Sequence, residues 1–165
     1  MCIRDRLIFW PESFIKRLIE AGFFVIRFDN RDIGLSTKIS RKDLPKVNTI
    51  AAMMKLQFGL DNSKTPVPYR IDDMADDTAG LIRALGFRQV QVLGASMGGI
   101  IGQVLAAKYP HLVNRLALIF STHNKPLLAP PRHKQLYSLI KRPNSYEEED
   151  IVKHGQWFIR TIGSQ

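Results

Sequence analysis

The sequence predicts an α/β fold in which a mostly parallel sheet is flanked by helices. Strand-like segments at Phe23–Asp29, Gln89–Leu93 and Arg115–Phe120 alternate with helix-like segments. Parallel strands need long crossover connections, and a helix usually provides them. With 165 residues, of which 45% are hydrophobic, the chain can form one domain with its own core.

The first helix is predicted at PESFIKRLIEAGF, which begins at Pro11. Proline suits the first helical position, and Gly22 is a natural C-terminal stop. The next segment, Phe23–Asp29, has apolar side chains on both faces, which is typical of a strand inside a parallel sheet. In the polar loop that follows, Gly34 is expected to adopt the left-handed conformation.

Further helices are predicted at Tyr69–Leu85 and Met97–Lys108, with a weaker pattern at Thr49–Phe58. Tyr69–Leu85 has apolar residues at helical spacing and ends before Gly86. After Ser121 the chain becomes rich in proline and cations and then helical. We therefore expect a core domain over residues 1–121 and a separate, partly helical segment over residues 122–165.

Composition excludes several classes of protein. Cys2 is the single cysteine, so neither a disulfide framework nor a cysteine metal site is expected. The net charge is +9, yet the Lys and Arg residues are scattered, so we predict no nucleic-acid partner. No apolar run has the length of a membrane span or a leader, and the default expectation is a cytoplasmic protein without a membrane partner.

A turn with the sequence Gly94-Ala95-Ser96-Met97-Gly98 joins the second predicted strand to a helix. A dinucleotide-binding loop, G-x-G-x-x-G, would need glycine where Ser96 stands. A Walker loop would need lysine before its serine or threonine, and this turn has none. The pentapeptide fits the nucleophile elbow, G-x-S-x-G, at every position.

In such an elbow the serine adopts a strained backbone conformation, and its hydroxyl projects above the sheet. Small residues at Gly94 and Gly98 let the strand and the helix approach closely. The N–H of Met97, at the start of the helix, can then donate to an oxyanion. The alternative is an ordinary turn in which Ser96 caps the helix.

The segments RFDNRDIGLST, VPYRIDDMADDTAGLIRALGF and VQVLGASMGGIIGQVLAAKYPHLVNRL, in this order, resemble the α/β-hydrolase superfamily. The likeness runs from about Phe9 to the C-terminus, and it is greatest to esterases similar to aclacinomycin methylesterase and to proline iminopeptidase-like hydrolases. WFIRTIGS near the end resembles the cap of those proteins. The resemblance implies a partial α/β-hydrolase fold with the start of a helical cap.

The resemblance also implies a site. Ser96 would be the nucleophile, Met97 an oxyanion donor, and Asn30 and Arg31 would border the pocket. In the family a catalytic acid and then a histidine follow the serine, and an HG-type loop provides a second donor. None of these is found in the 165 residues, so we expect this fragment to be inactive or nearly so.

The start of the chain, MCIRDR, stands where the family has an apolar strand, and we interpret these residues as foreign sequence. The family places that strand between the Phe23–Asp29 strand and the Gln89–Leu93 strand. Its loss predicts either a gap or a direct pairing of these two strands. Since unpaired strand edges favour aggregation, we also predict poor solubility.

Other polar residues have structural interpretations. Asp29 is expected to fix its own loop rather than act as the catalytic acid. His123 follows the third strand but precedes the position of the acid, so we expect an exposed loop residue and no base. Four carboxylates at helical spacing lack histidine partners and are predicted to form a solvated helix start favoured by the dipole, with no metal: Asp72, Asp73, Asp76 and Asp77.

The sequence therefore predicts a serine hydrolase whose complete form cleaves small carboxylic esters without a cofactor. Two alternatives stay open: an amide or N-terminal peptide hydrolase of the same fold, and a non-catalytic binding protein of that fold. Dehalogenases and epoxide hydrolases of this fold are disfavoured because they need aspartate at the position of Ser96.

Overall fold

The computed structural model divides the chain into two compact units, Met1–Pro126 and Leu127–Gln165. The structure describes residues 1–3, 10–39, 47–48, 51–52, 54–55, 58–61, 63–123, 134, 137–138, 141–143, 145 and 147–162. The division lies five residues after the predicted boundary at 121. That the second unit is part of a cap stays a prediction.

A parallel sheet of three strands lies in the first unit, in the order β1-β2-β3. The strands are β1 (Cys2–Ile3), β2 (Val90–Ala95) and β3 (Val113–Ile119). β2 pairs with β3 along its whole length, but with β1 only at Leu93 and Gly94. The predicted α/β class is confirmed, and β2 and β3 lie where strands were predicted.

Among the described residues of the first unit, three longer helices flank the sheet and match the predicted helices closely. They are α1 (Glu12–Glu20), α2 (Ile71–Ala84) and α3 (Met97–Lys108). α1 begins after Pro11, and Gly22 follows it with a φ of 87°. Within the weaker predicted helix Thr49–Phe58, residues 51–52 and 54–55 are helical; the other residues before Phe58 lie outside the described ranges.

The core is divided between the two faces of β2, because successive side chains of a strand point in opposite directions. On one face, Val92 packs with a cluster contributed mainly by α2 and α3. On the other face, Ala95 packs with Trp10, which precedes α1, and with Ile15 of α1. The buried members of the larger cluster are Met74, Ala75, Ala79, Ile82, Val92, Ile101, Leu105 and Leu112.

The predicted strand at Phe23–Asp29 is wrong. Among the described residues the segment forms no ladder and has a single bridge at Arg27. A largely apolar cavity of about 470 Å³ is lined on one side by residues 23–26 and on the other by β2. β1 covers β2 only at Leu93 and Gly94, and residues 23–26 and 90–92 line the cavity instead of pairing with each other.

The sequence predicted a gap or a direct strand pairing here, but β1, which belongs to the residues interpreted as foreign, pairs with β2 at Leu93 and Gly94, and the cavity remains next to Met1. Met1, Phe24, Phe87 and Leu93 contribute to its wall, and the side chain of Phe24 is 81% exposed. Exposed apolar surface beside an uncovered strand favours association between chains. Poor solubility of the isolated chain therefore stays a prediction.

The second unit contains α4 (Glu148–Ile162), as the predicted helical tail requires. Two rings lie close to Trp157: the ring of Tyr137 at 6.2 Å and that of His154 at 5.7 Å. The ammonium of Lys141 lies 4.6 Å from the Trp157 ring. Across both units, none of the helices in the described ranges combines the length and apolar character needed to span a membrane.

Replacing Ile101 with alanine tests the larger core cluster. Ile101 is fully buried in α3, so its truncation leaves a cavity between α3 and β2. We expect the free energy of unfolding to fall by about 2–5 kcal/mol, measured by urea denaturation. Ile19→Ala is the matched control, because Ile19 is 57% exposed on α1. A loss of similar size in both variants would contradict the assigned core.

Candidate active site

Ser96 is the single residue between the end of β2 and the start of α3. Its φ is 54° and its ψ is −123°, a conformation that non-glycine residues rarely adopt. Such strain costs about 1–3 kcal/mol and is concentrated at functional sites. The side chain is exposed, and its hydroxyl makes no capping hydrogen bond to α3. The capping alternative therefore has no hydrogen bond to support it.

The glycines around Ser96 allow a contact between strand and helix that no side chain would permit. A β-carbon on Gly94 would lie 2.5 Å from the carbonyl oxygen of Gly98 and 2.6 Å from the Cα of Gly99. A β-carbon on Gly99 would overlap the side chain of Ser121. The atoms that would clash with a side chain on Gly94 belong to the backbone, so no change of side-chain rotamer could relieve the clash.

Hydrogen bonds tie the elbow to the end of the neighbouring strand β3. The N–H of Ser96 donates to the carbonyl of Ile119 at 3.0 Å, and the Ser121 hydroxyl donates to the carbonyl of Ser96 at 2.9 Å. One turn further along α3, the amide of Gln103 donates to the carbonyls of Thr122 and Gly99, at 2.9 and 3.2 Å. The first two hydrogen bonds join the backbone of Ser96 to the end of β3, and those of Gln103 join α3 to the residues that follow β3.

Sequence reasoning missed Ser121 and Gln103. The available signal was topological, because neighbouring parallel strands end at the same edge of a sheet. This rule places the residues just after β3, from Ser121 to His123, near Ser96. The structure adds the register, in which Ala95 pairs with Ile119.

Met97 begins α3, so its N–H belongs to the first turn, where helical amides have no carbonyl partner within the helix. The positive end of the helix dipole lies at the same place. An oxyanion formed on a substrate bound at Ser96 could accept a hydrogen bond from the Met97 N–H and would be stabilised by the positive end of the helix dipole. The Met97 side chain is half-buried and packs against the larger core cluster.

Asn30 and Arg31 lie in the loop after the extended segment. Asn30 is buried, while the guanidinium of Arg31 binds both carboxylate oxygens of Asp77 on α2, at 2.6 and 2.7 Å. The same group donates to the carbonyl of Asp73 and lies over the ring of Tyr69. The hydrogen bond that Arg31 donates to Asp77 raises the pKa of Arg31 above its ordinary value. Arg31 thus fastens this loop to α2, and a pocket-edge role for either residue stays a prediction.

Asp29 packs inside its own loop. Gly34 has a φ of 50°, which confirms the predicted left-handed residue. A β-carbon on Gly34 would overlap the carboxylate of Asp29, and the hydroxyl of Ser36 donates to the carbonyl of Asp29 at 2.6 Å. This close packing agrees with a loop-fixing role for Asp29.

The sequence predicted that the carboxylates of α2 form a solvated face, but three of them bind specific partners. Asp73 accepts the N–H of Arg70 at 2.6 Å at the helix start, and Asp77 binds Arg31. Asp76 accepts hydrogen bonds from the ammonium of Lys108 at 2.6 Å and from the hydroxyl of Tyr109 at 2.8 Å. No group of three or more potential ligands suited to a metal ion occurs in the described part of the chain.

The Asp76–Lys108 contact predicts a titration. The hydrogen bond from Lys108 lowers the pKa of Asp76 below its ordinary value, so this pair stabilises the fold above that value and loses its effect as pH falls through the lowered pKa. We expect Lys108→Gln to move the pKa of Asp76 back towards its ordinary value, measured by NMR titration. Lys153→Gln on α4 is the control, and an unmoved Asp76 pKa in Lys108→Gln would contradict the contact.

The described histidines lie in different surroundings. His123 is exposed after β3, and His111 stands edge-on to the ring of Tyr109. His154 lies in the second unit, and His133 lies outside the described residues.

Comparison with known proteins decides the family. The model of a family described as the alpha/beta hydrolase fold matches residues 6–161. The chain belongs to the α/β-hydrolase family. This agrees with the parallel sheet and with the strained serine between β2 and α3.

The relatives of this α/β-hydrolase chain have names that indicate different substrates. It is 36% identical to a rhodomycin D methylesterase of Streptomyces sp. (strain C5), over 67% of this chain and 29% of that protein. It is 43% identical to a putative carbamate hydrolase of Pantoea ananatis, over 38% of this chain and 24% of that protein. Identity to a poly(3-hydroxyalkanoate) depolymerase of Ectopseudomonas oleovorans is 27%, over 86% of this chain and 55% of that protein.

The chain thus spans about 29% of the length of the methylesterase that it matches. The described residues contain the serine, the first turn of α3 and the strand edges around them. Activity, substrate and partners concern the whole protein, of which this chain is a part.

Proposed function

We propose that the complete protein is a serine hydrolase of small carboxylic esters and that Ser96 is its nucleophile. The observation that carries this proposal is the exposed Ser96 side chain on a backbone with φ 54°, directly before the N-terminus of α3. The name of the methylesterase relative supports an ester as substrate. The proposed reaction needs no metal or other cofactor.

In the proposed reaction the Ser96 oxygen attacks the ester carbonyl carbon, and a general base takes the hydroxyl proton. The carbonyl oxygen becomes an oxyanion beside the Met97 N–H. When the C–O bond breaks, the alcohol leaves with the proton and an acyl-serine remains. Water then releases the acid and restores the serine.

The base and its acidic partner belong to other parts of the complete protein in this proposal. A serine hydroxyl without a base is a weak nucleophile. We therefore expect the 165-residue chain alone to be inactive or nearly so. Phosphonylation of the complete protein, but not of this chain, by a fluorophosphonate would agree with that expectation.

Two alternatives remain, and one experiment separates them. The first alternative is hydrolysis of an amide or of an N-terminal peptide bond, and the name of the putative carbamate hydrolase relative, whose substrate has a C–N bond at the carbonyl, is compatible with it. The second alternative is a non-catalytic binding protein, which would keep the fold without turnover. Purified complete protein should be assayed with a methyl ester and with the amide of the same acid. Turnover of the ester without turnover of the amide supports the proposal, turnover of the amide supports the first alternative, and binding without turnover of either supports the second.

A further inference from the structure

Phe120 has an unusual conformation at the same sheet edge as Ser96. It follows β3 directly, with a φ of 50° and a side chain that is 94% exposed. A bulky residue with positive φ is an outlier, because its Cβ crowds the backbone. Glycine would adopt this conformation without strain.

The position of Phe120 relative to Ser96 is fixed from both sides. The carbonyl of Ile119 accepts the N–H of Ser96, and the hydroxyl of Ser121 donates to the carbonyl of Ser96. Ala95 and Ile119 are register partners in the parallel ladder, so the next residues, Ser96 and Phe120, end adjacent strands side by side. Both have φ values near 50°.

The phenyl ring has no packing role in the described chain. None of the ring contacts among the described residues involves Phe120, whereas Phe14, Phe24 and Phe87 all stack on other rings or pack on the core. A strained, exposed phenyl next to a candidate nucleophile offers one flat apolar surface to a molecule bound there. Flat aromatic groups pack well on such a surface.

We infer that Phe120 is a specificity-determining residue of this site and that it favours esters with an aromatic group near the ester carbonyl. This inference rests on the proposed function of Ser96. The ring contacts the aromatic group of the bound ester and so favours that ester over an ester that lacks the aromatic group. Phe120 takes no part in bond making or breaking.

The test compares two methyl esters, methyl phenylacetate and methyl acetate, through the release of acid by the complete protein. Phe120→Ala is expected to lower the ratio of kcat/KM for phenylacetate over acetate about tenfold, while Phe120→Tyr retains the ratio. Phe24→Ala is the matched control, since it removes another exposed phenyl group and should leave the ratio unchanged. Thermal unfolding of each variant is measured in parallel.

Each outcome is decisive. A lower ratio in Phe120→Ala, with a melting temperature equal to or above that of the parent, supports the inference. An unchanged ratio in Phe120→Ala and Phe120→Leu, with Ser96→Ala inactive, overturns the inference and leaves the proposed function standing. A melting temperature lowered by several degrees, with the ratio unchanged, shows instead that the ring packs within the protein. Full activity of Ser96→Ala would overturn the proposed function and this inference together.

Discussion

Replacing Gly94 with alanine is expected to lower the free energy of unfolding by about 3 kcal/mol, near the upper end of the usual cost of overpacking. The added β-carbon would lie 2.5 Å from the carbonyl oxygen of Gly98, and only a shift of α3 away from β2 could relieve the clash. Such a shift would also pull Ser96 out of its strained conformation. Urea denaturation measures the loss, and fluorophosphonate labelling of the complete protein should fall with it.

Gly80→Ala is the matched control for this variant. Gly80 lies inside α2, and a β-carbon there would meet no atom within 4 Å. Alanine is the better helix former, so this variant should be more stable than the parent by about 0.5–1 kcal/mol. Equal destabilisation by both substitutions would contradict the close approach assigned to Gly94.

Replacing Ser96 with alanine is expected to lower kcat/KM for ester hydrolysis by the complete protein about 10⁴-fold or more. The variant keeps the fold but cannot form the acyl-serine. Because alanine has no hydroxyl, the oxyanion donors and any general base could act only on a bound water. Steady-state kinetics with a methyl ester measure the effect.

Ser13→Ala provides the control for Ser96→Ala. Ser13 is an exposed serine on α1, and its loss should leave kcat/KM within about twofold of the parent, as is usual for surface substitutions. A loss of similar size in both variants would point to a general defect of folding. Retained activity in Ser96→Ala would remove Ser96 from the mechanism.

The parts of the site that depend on local rules were predictable from the sequence. The pattern from Gly94 to Gly98 needs small residues on both sides of a strained serine, and this requirement is visible in five consecutive letters. The predicted bounds of α3, Met97–Lys108, are those observed. Helical spacing similarly located α2, since its apolar residues face one cluster.

The parts that depend on distant pairing were not predictable. Phe23–Asp29 has the composition of a buried strand, yet a strand forms only where a neighbour offers its edge, and here a cavity separates the segment from β2. Arg31 and Asp77 are 46 residues apart, so their ion pair follows from the packing of the loop on α2. The common end of parallel strands indicates the sheet edge on which Ser121 and Phe120 lie, but their contacts beside Ser96 depend on the β2–β3 register.

The most direct test is to treat the complete protein with a fluorophosphonate and to find the modified residue by peptide mass spectrometry. A reagent adduct on the peptide that contains Ser96, formed in the parent and absent from Ser96→Ala, is the predicted result. Modification of another serine, with the Ser96 peptide unmodified at complete inactivation, would show that the raised hydroxyl between β2 and α3 is not the nucleophile.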